Sequence, residues 1–178
     1  KNAVARGESR SRYMLLSFAS VAFVVAIGLV ITFAIGVVAA LVGASLAGVP
    51  TTGLGDSGAL GRLPEQFGRG WLAIVEEGAL GFAIASLARS QLAGIGAGIA
   101  FYFGGVFAGI FLPDVVKYLP FSVANASVAT GSGGGFRGGD GQQVASLDPN
   151  TALLLVVVWL VGSLIVTAVY TERAEISG

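Results

Sequence analysis

Long apolar stretches constrain the fold of this chain more than any other feature of its sequence. They run over residues 13–47, 69–88, 91–112 and 151–170. A helix needs about twenty apolar residues to cross about 30 Å of hydrocarbon. The pattern therefore predicts an all-α, polytopic membrane bundle with four transmembrane helices in a single domain, 1–178. The first stretch has no proline, charge or polar turn before Pro50, which predicts one tilted helix extending beyond the bilayer.

The composition supports a membrane protein and narrows its chemistry. Charged residues make up 11% of the chain, against about a quarter in soluble domains. The sequence has no cysteine and no histidine, so it lacks the thiolate ligand, the commonest metal ligand and the commonest general base. We therefore expect no catalysis, no cofactor and no metal site. Equal numbers of basic and acidic residues imply no nucleic-acid partner.

Basic residues in the segments between the spans predict the orientation, because short cytoplasmic segments are enriched in Lys and Arg. With the N-terminus inside, the cations of the inner segments are Lys1, Arg6, Arg10, Arg12, Arg89 and Arg173. The longer outer loops carry Arg62, Arg69, Lys117 and Arg137. We expect cytoplasmic tails at 1–12 and 171–178 and outer loops at 48–68 and 113–150.

The last outer loop has two parts. Its first half, "PDVVKYLPFSVANASVA", is moderately apolar with two prolines and predicts short interfacial or re-entrant helices. Its second half, "TGSGGGFRGGDGQQ", lacks the lysine and the following helix of a phosphate-binding loop. We interpret that half as a solvated linker.

Pairs of small residues four positions apart predict close contacts between helices in a bilayer. Such pairs are Gly36/Ala40 and Gly43/Ala47 in the first span, Ala79/Ala83 and Gly81/Ala85 in the second, and Gly94/Gly98, Ala100/Gly104 and Gly105/Gly109 in the third. The fourth span, "LLLVVVWLVGSLIV", is bulky nearly all round. We expect it to face lipid more than the others do.

Glu76 and Glu77 are adjacent carboxylates close to the middle of the second span. A charged side chain there costs about 2.5 to 3.5 kcal/mol on insertion scales, and neighbouring helical residues point about 100° apart. In a first alternative, the helix starts deeper in the membrane and both lie in its first turn, which favours anions. Alternatively, they line a transport pathway or carry protons. A third possibility is pairing with another subunit, because no basic residue lies inside a span of this chain.

Several motifs together resemble one transporter family. "ARGESRSRYMLLSF" is similar to the cytoplasmic segment that leads into the third helix of ABC transporter permeases of the second exporter class, with Ser17 where the family often has lysine. "SLARSQLAGIGAGIAF" resembles the turn between that family's fourth and fifth helices, and "FLPDVVKYLPFSVANA" its outer re-entrant helices. "VYTERAEISG" resembles its closing Phe-x-Arg-Arg-Asp-Ile tail.

The resemblance implies the C-terminal portion of a six-helix permease, from the coupling loop onward, in a prokaryotic plasma membrane. Two further helices would then precede Lys1. A separate ABC ATPase subunit would hydrolyse ATP, and a second permease copy, identical or different, would complete the exporter. On this interpretation Arg6, Glu8, Arg10 and Arg12 border the ATPase contact, while Glu76 and Glu77 are candidates for lining the substrate pathway.

Two alternatives remain open from the sequence. In one, the chain is a non-catalytic structural subunit of a larger membrane complex, and its small-residue faces bind neighbouring helices. In the other, it is an ion- or proton-coupled secondary transporter that uses Glu76 and Glu77 as carriers.

Overall fold

The computed structural model describes residues 10–51, 60–129 and 147–173, and these form an all-helical bundle. Three of the helices, α1, α2 and α6, are long and apolar enough to cross a membrane. The glycine-rich linker and the ends of both predicted cytoplasmic tails lie outside the described residues. The helices are α1 Arg10–Leu46, α2 Leu63–Leu87, α3 Gln91–Phe111, α4 Pro113–Val116, α5 Pro120–Ser127 and α6 Pro149–Arg173, with a 3₁₀ turn, Leu60–Arg62, before α2.

Local sequence explains where the first helix ends. Gly48 has a positive φ of 64°, a conformation that glycine adopts without a steric penalty. The amides of Gly48 and Val49 donate to the carbonyls of Ser45 and Ala44, which is the Schellman pattern of helix termination. Pro50 follows directly, so α1 is one continuous helix that stops before the proline.

The turn between α2 and α3 is equally tight. Arg89 has a φ of 52°, and the amides of Arg89 and Ser90 donate to the carbonyls of Ser86 and Ala85. The Ser90 hydroxyl then caps α3 by accepting a hydrogen bond from the amide of Ala93. One residue, Ser90, therefore ends one helix and begins the next, and α2 and α3 form an antiparallel hairpin.

Contacts at the helix ends fix the directions of the three long helices. The Arg69 guanidinium bonds to Asn150 at the start of α6, so α2 and α6 run parallel. The Ser11 hydroxyl donates to Glu172, and Phe33 and Phe67 make an edge contact, so α1 is antiparallel to both. We call the end of the bundle that carries the start of α1, the α2–α3 turn and the end of α6 the turn end; the opposite end is the Arg69 end.

The short helix α5 folds back along the first half of α6. Val123 and Ala126 of α5 pack with Ala152 and Val156 of α6 in a buried cluster. The indole N–H of Trp159 donates to the Tyr118 carbonyl at 3.1 Å. Trp159 lies ten residues beyond the start of α6, so the chain just before α5 reaches about 15 Å down the bundle.

The expectation that the last helix faces lipid most is wrong. Ala152, Val156, Ser163 and Thr167 of α6 are buried, whereas only 6% of the apolar window of α1 is buried. Hydrophobicity does not distinguish a helix that faces lipid from a helix buried in protein, because lipid tails and protein interiors are both apolar. The sequence places residues 63–68 in the outer loop 48–68, with a short helix starting near Pro64. These residues form the first turns of α2, so that helix is continuous with the second span.

Gly94 brings the backbones of α2 and α3 into direct contact. A Cβ atom at Gly94 would lie 2.7 Å from the Gly81 carbonyl oxygen and 2.8 Å from the Ala85 Cβ. The small residues predicted on the two helices therefore meet at this position. At Gly98, in contrast, an added Cβ would have no atom within 4 Å.

We predict that Gly94→Ala destabilises the bundle, because the backbone carbonyl of Gly81 cannot yield to a methyl group. Overpacking of this kind costs about 1 to 3 kcal/mol. The thermal unfolding midpoint in detergent, followed by the fluorescence of Trp71 and Trp159, should fall. The control, Gly98→Ala, has open space for the methyl group and should unfold at an equal or slightly higher midpoint than the unmodified chain, because alanine favours a helix interior over glycine by about 0.5 to 1 kcal/mol. Equal midpoints for the two variants would contradict the contact at Gly94.

Candidate functional site

The adjacent glutamates of α2 lie deep in the helix. Because α2 begins at Leu63, Glu76 and Glu77 stand between about three and a half and four turns from its start. Neither lies in the first turn of the helix. They are instead close to the midpoint between Arg69 and the α2–α3 turn.

Glu76 faces the interior of the bundle. Its side chain is 0% exposed, as is that of Ala79 on the same helical face. Neither carboxylate oxygen of Glu76 has a hydrogen-bond partner among the described residues. A buried oxygen without a donor costs about 1 to 3 kcal/mol. Burial of Glu76 therefore destabilises the fold, and packing alone does not explain why a glutamate occupies this position.

Glu77 is exposed and contributes to the walls of two cavities. The first has a volume of about 370 Å³ and lies between α2, α3 and α5. Its walls are apolar apart from Glu77. They consist of Leu80, Gly81, Ile84, Gly94, Ile95, Gly98, Phe101, Pro120 and Phe121.

The second cavity has a volume of about 350 Å³ and extends from Glu77 towards the Arg69 end. It is more polar, because the amide side chains of Gln66 and Asn125 line it. Its remaining wall residues are Phe33, Gly70, Ala73, Ile74, Ala124 and Val128. Glu77 thus stands between an apolar cavity that reaches Ile84, near the turn end, and a partly polar cavity near the Arg69 end.

Arg69 ties the start of α2, next to the second cavity, to the end of α5 and the start of α6. Its Nη1 donates to the carbonyls of Ser127 at 3.1 Å and Pro149 at 3.2 Å. Its Nη2 donates to Asn150 Oδ1 at 2.7 Å, and its Nε pairs with Glu65 at 2.9 Å. The planar guanidinium, with donors fixed in a fork, suits several acceptors at once.

The basic segment predicted to border an ATPase lies only partly within the described residues. Arg6 and Glu8 lie outside the described residues. Arg10 begins α1, and Arg12, two residues further on, is exposed at the turn end. This segment and the two glutamates are therefore separate sites.

Sequence reasoning identified both glutamates but not their different surroundings, and it missed the other polar residues of the second cavity. The sequence places Gln66 and Asn125 in loop or interfacial segments and indicates for Arg69 only a basic residue at the outer side. The one sequence signal for the polar residues of this cavity is that a polar side chain lies within an amphipathic helical stretch. Within residues 10–51, 60–129 and 147–173, no three acidic side chains come together in a way that could hold a metal ion.

Comparison with protein-family models, curated proteins and solved structures gives no match to this chain. Its function is therefore inferred from its own residues and geometry.

We predict that Glu76→Leu stabilises the fold, because leucine has a similar size and removes the unpaired buried oxygens. The gain should be about 1 to 3 kcal/mol, measured as a rise in the thermal unfolding midpoint in detergent. Glu77→Leu is the matched control and should change the midpoint little, since that side chain is exposed. A fall in stability for Glu76→Leu would mean that the carboxylate has a stabilising partner.

Proposed function

We propose that this chain is a membrane transport subunit, the permease of an ATP-driven ABC exporter, with its substrate pathway along α2. The observation that carries the proposal is the position of Glu77 in the walls of two cavities that extend towards opposite ends of the bundle. Intramembrane carboxylates are costly, and in membrane proteins they mark substrate and ion pathways.

In this proposal the chain crosses the membrane four times. In addition to α1, α2 and α6, the helix α3 crosses, because its 21 residues span about 30 Å. The segment α4–α5 is re-entrant, which agrees with the hydrogen bond between Trp159 and the Tyr118 carbonyl partway along α6. Irregular backbone at such a depth is tolerated where it is buried in protein or lines a cavity.

The turn end is the proposed cytoplasmic side and the site of coupling to an ATPase. It carries Arg12 and the α2–α3 turn with Arg89, while α6 ends there at Arg173. This distribution follows the enrichment of basic residues in cytoplasmic segments. ATP hydrolysis on a partner subunit would move this end and change access to Glu77 between two permease copies.

A second candidate is a proton-coupled secondary transporter. The observation in its favour is Glu76, a fully buried carboxylate without a hydrogen-bond partner in the part of the chain that the structure describes. Buried carboxylates of this kind form proton relays in pumps and transporters. In that case Glu76 rather than an ATPase would couple transport to an energy source.

The test is affinity purification of the tagged protein from its native membrane, followed by mass spectrometry and an ATPase assay. We expect an ABC ATPase to copurify in stoichiometric amount. Combined reversal of Arg6, Arg10 and Arg12 to glutamate should lower its recovery severalfold, because the contact is electrostatic at its border. The control Arg62→Glu, near the Arg69 end, should retain the ATPase.

Other outcomes separate the alternatives. If no ATPase copurifies and transport stops when a protonophore dissipates the proton gradient, the secondary transporter is correct. If other membrane proteins copurify in fixed ratio and Glu77→Gln affects neither transport nor assembly, the chain is a structural subunit.

A further inference from the structure

We infer that the cavity between α2, α3 and α5 binds a hydrophobic organic cation, with Glu77 as its counter-charge. This inference deepens the proposed function, because it names the class of substrate, and it rests on that function for the role of the ligand as cargo. Binding itself follows from the cavity alone.

The charge of the cavity selects the ligand. Glu77 is the ionisable residue in the walls of both cavities, and among the residues that the structure describes neither wall includes a lysine or an arginine. Glu77 is exposed to a cavity whose other walls are apolar, and where that cavity opens to lipid a cation beside the carboxylate offsets the cost of its charge. An anionic ligand would meet a like charge, and a neutral ligand would leave the carboxylate unpaired.

The walls favour a cation with apolar substituents over a hydrated metal ion. Leu80 and Ile84 provide aliphatic surface, and the rings of Phe101 and Phe121 stand on the opposite helices. Aromatic faces attract organic cations, especially where water is excluded. Within the described walls Glu77 is the one charged group, which is too few oxygen ligands to replace the hydration shell of a hard metal ion.

The cavity is open on the outer surface of the bundle, between α2 and α3. Ile95 is 63% exposed and Phe101 is 38% exposed, and Gly98 leaves open space beside them. In a bilayer this opening faces lipid, so a ligand that partitions into the membrane reaches it directly. The volume, about 370 Å³, is near the lower end for small-molecule sites and suits a compact molecule rather than a polymer.

The test is equilibrium binding of radiolabelled tetraphenylphosphonium, a permanent hydrophobic cation, to the purified full chain with its partners in lipid nanodiscs, without nucleotide. We expect saturable binding that is weakened about tenfold or more in Glu77→Gln, because the counter-charge of the cation is removed. Asp114→Asn removes an exposed carboxylate outside the cavity and should bind like the unmodified protein.

A second pair of variants tests the shape of the site without changing its charge. Gly98→Val fills the cavity and should reduce binding severalfold, whereas Gly96→Val on the same helix lies outside the cavity walls and should not. Unlabelled triphenylphosphine oxide, a neutral analogue, should compete poorly.

Three results would overturn the inference: no saturable binding, equal binding in Glu77→Gln, or equal competition by the neutral analogue. The assay needs neither ATP nor transport, so its outcome is independent of the copurification test. If the cation binds but no ATPase copurifies, the binding site is supported and the exporter proposal is wrong. If an ATPase copurifies but no cation binds, the exporter proposal is supported and the binding site is wrong.

Discussion

The hydrogen bonds of Arg69 are the interaction on which the arrangement of the remaining helices depends. One guanidinium joins α2 to the last carbonyl of α5 and to the first residues of α6. This tie sets α2 and α6 parallel and holds α5 against both. The opposite end of α5 then carries Pro120 and Phe121 into the wall of the apolar cavity. The site at Glu77 therefore depends on a residue located two turns nearer the start of α2.

Glycine has two different roles along the α2–α3 hairpin. At Gly94 the absence of a side chain allows the backbone to touch Gly81 and Ala85. At Gly98, one turn later, it leaves space next to the cavity. Close contact near the turn and open space beyond it give the hairpin a wedge shape. This shape creates a cavity at the depth of Glu77 while the α2–α3 turn stays closed by its cap at Ser90.

Hydropathy was sufficient to predict the long helices and an end of α1 before Pro50, and the spacing of small residues predicted a contact surface that includes Gly94. The exposure of α1 and the burial of α6 could not be predicted, because a helix facing lipid and a helix facing protein have the same apolar composition. The difference between Glu76 and Glu77 was also out of reach. Their angular separation follows from helix geometry, but which of them faces the core depends on how the other helices pack around α2.

The central claim is that Glu77 faces a cavity while its neighbour Glu76 faces the core. The chain has no cysteine, so Glu76→Cys and Glu77→Cys each provide a single thiol for labelling with a small cationic methanethiosulfonate in membranes. The account predicts that the thiol at 77 reacts at least about ten times faster than the thiol at 76, and that both react fully after denaturation. Equal rates, or faster reaction at 76, would contradict it.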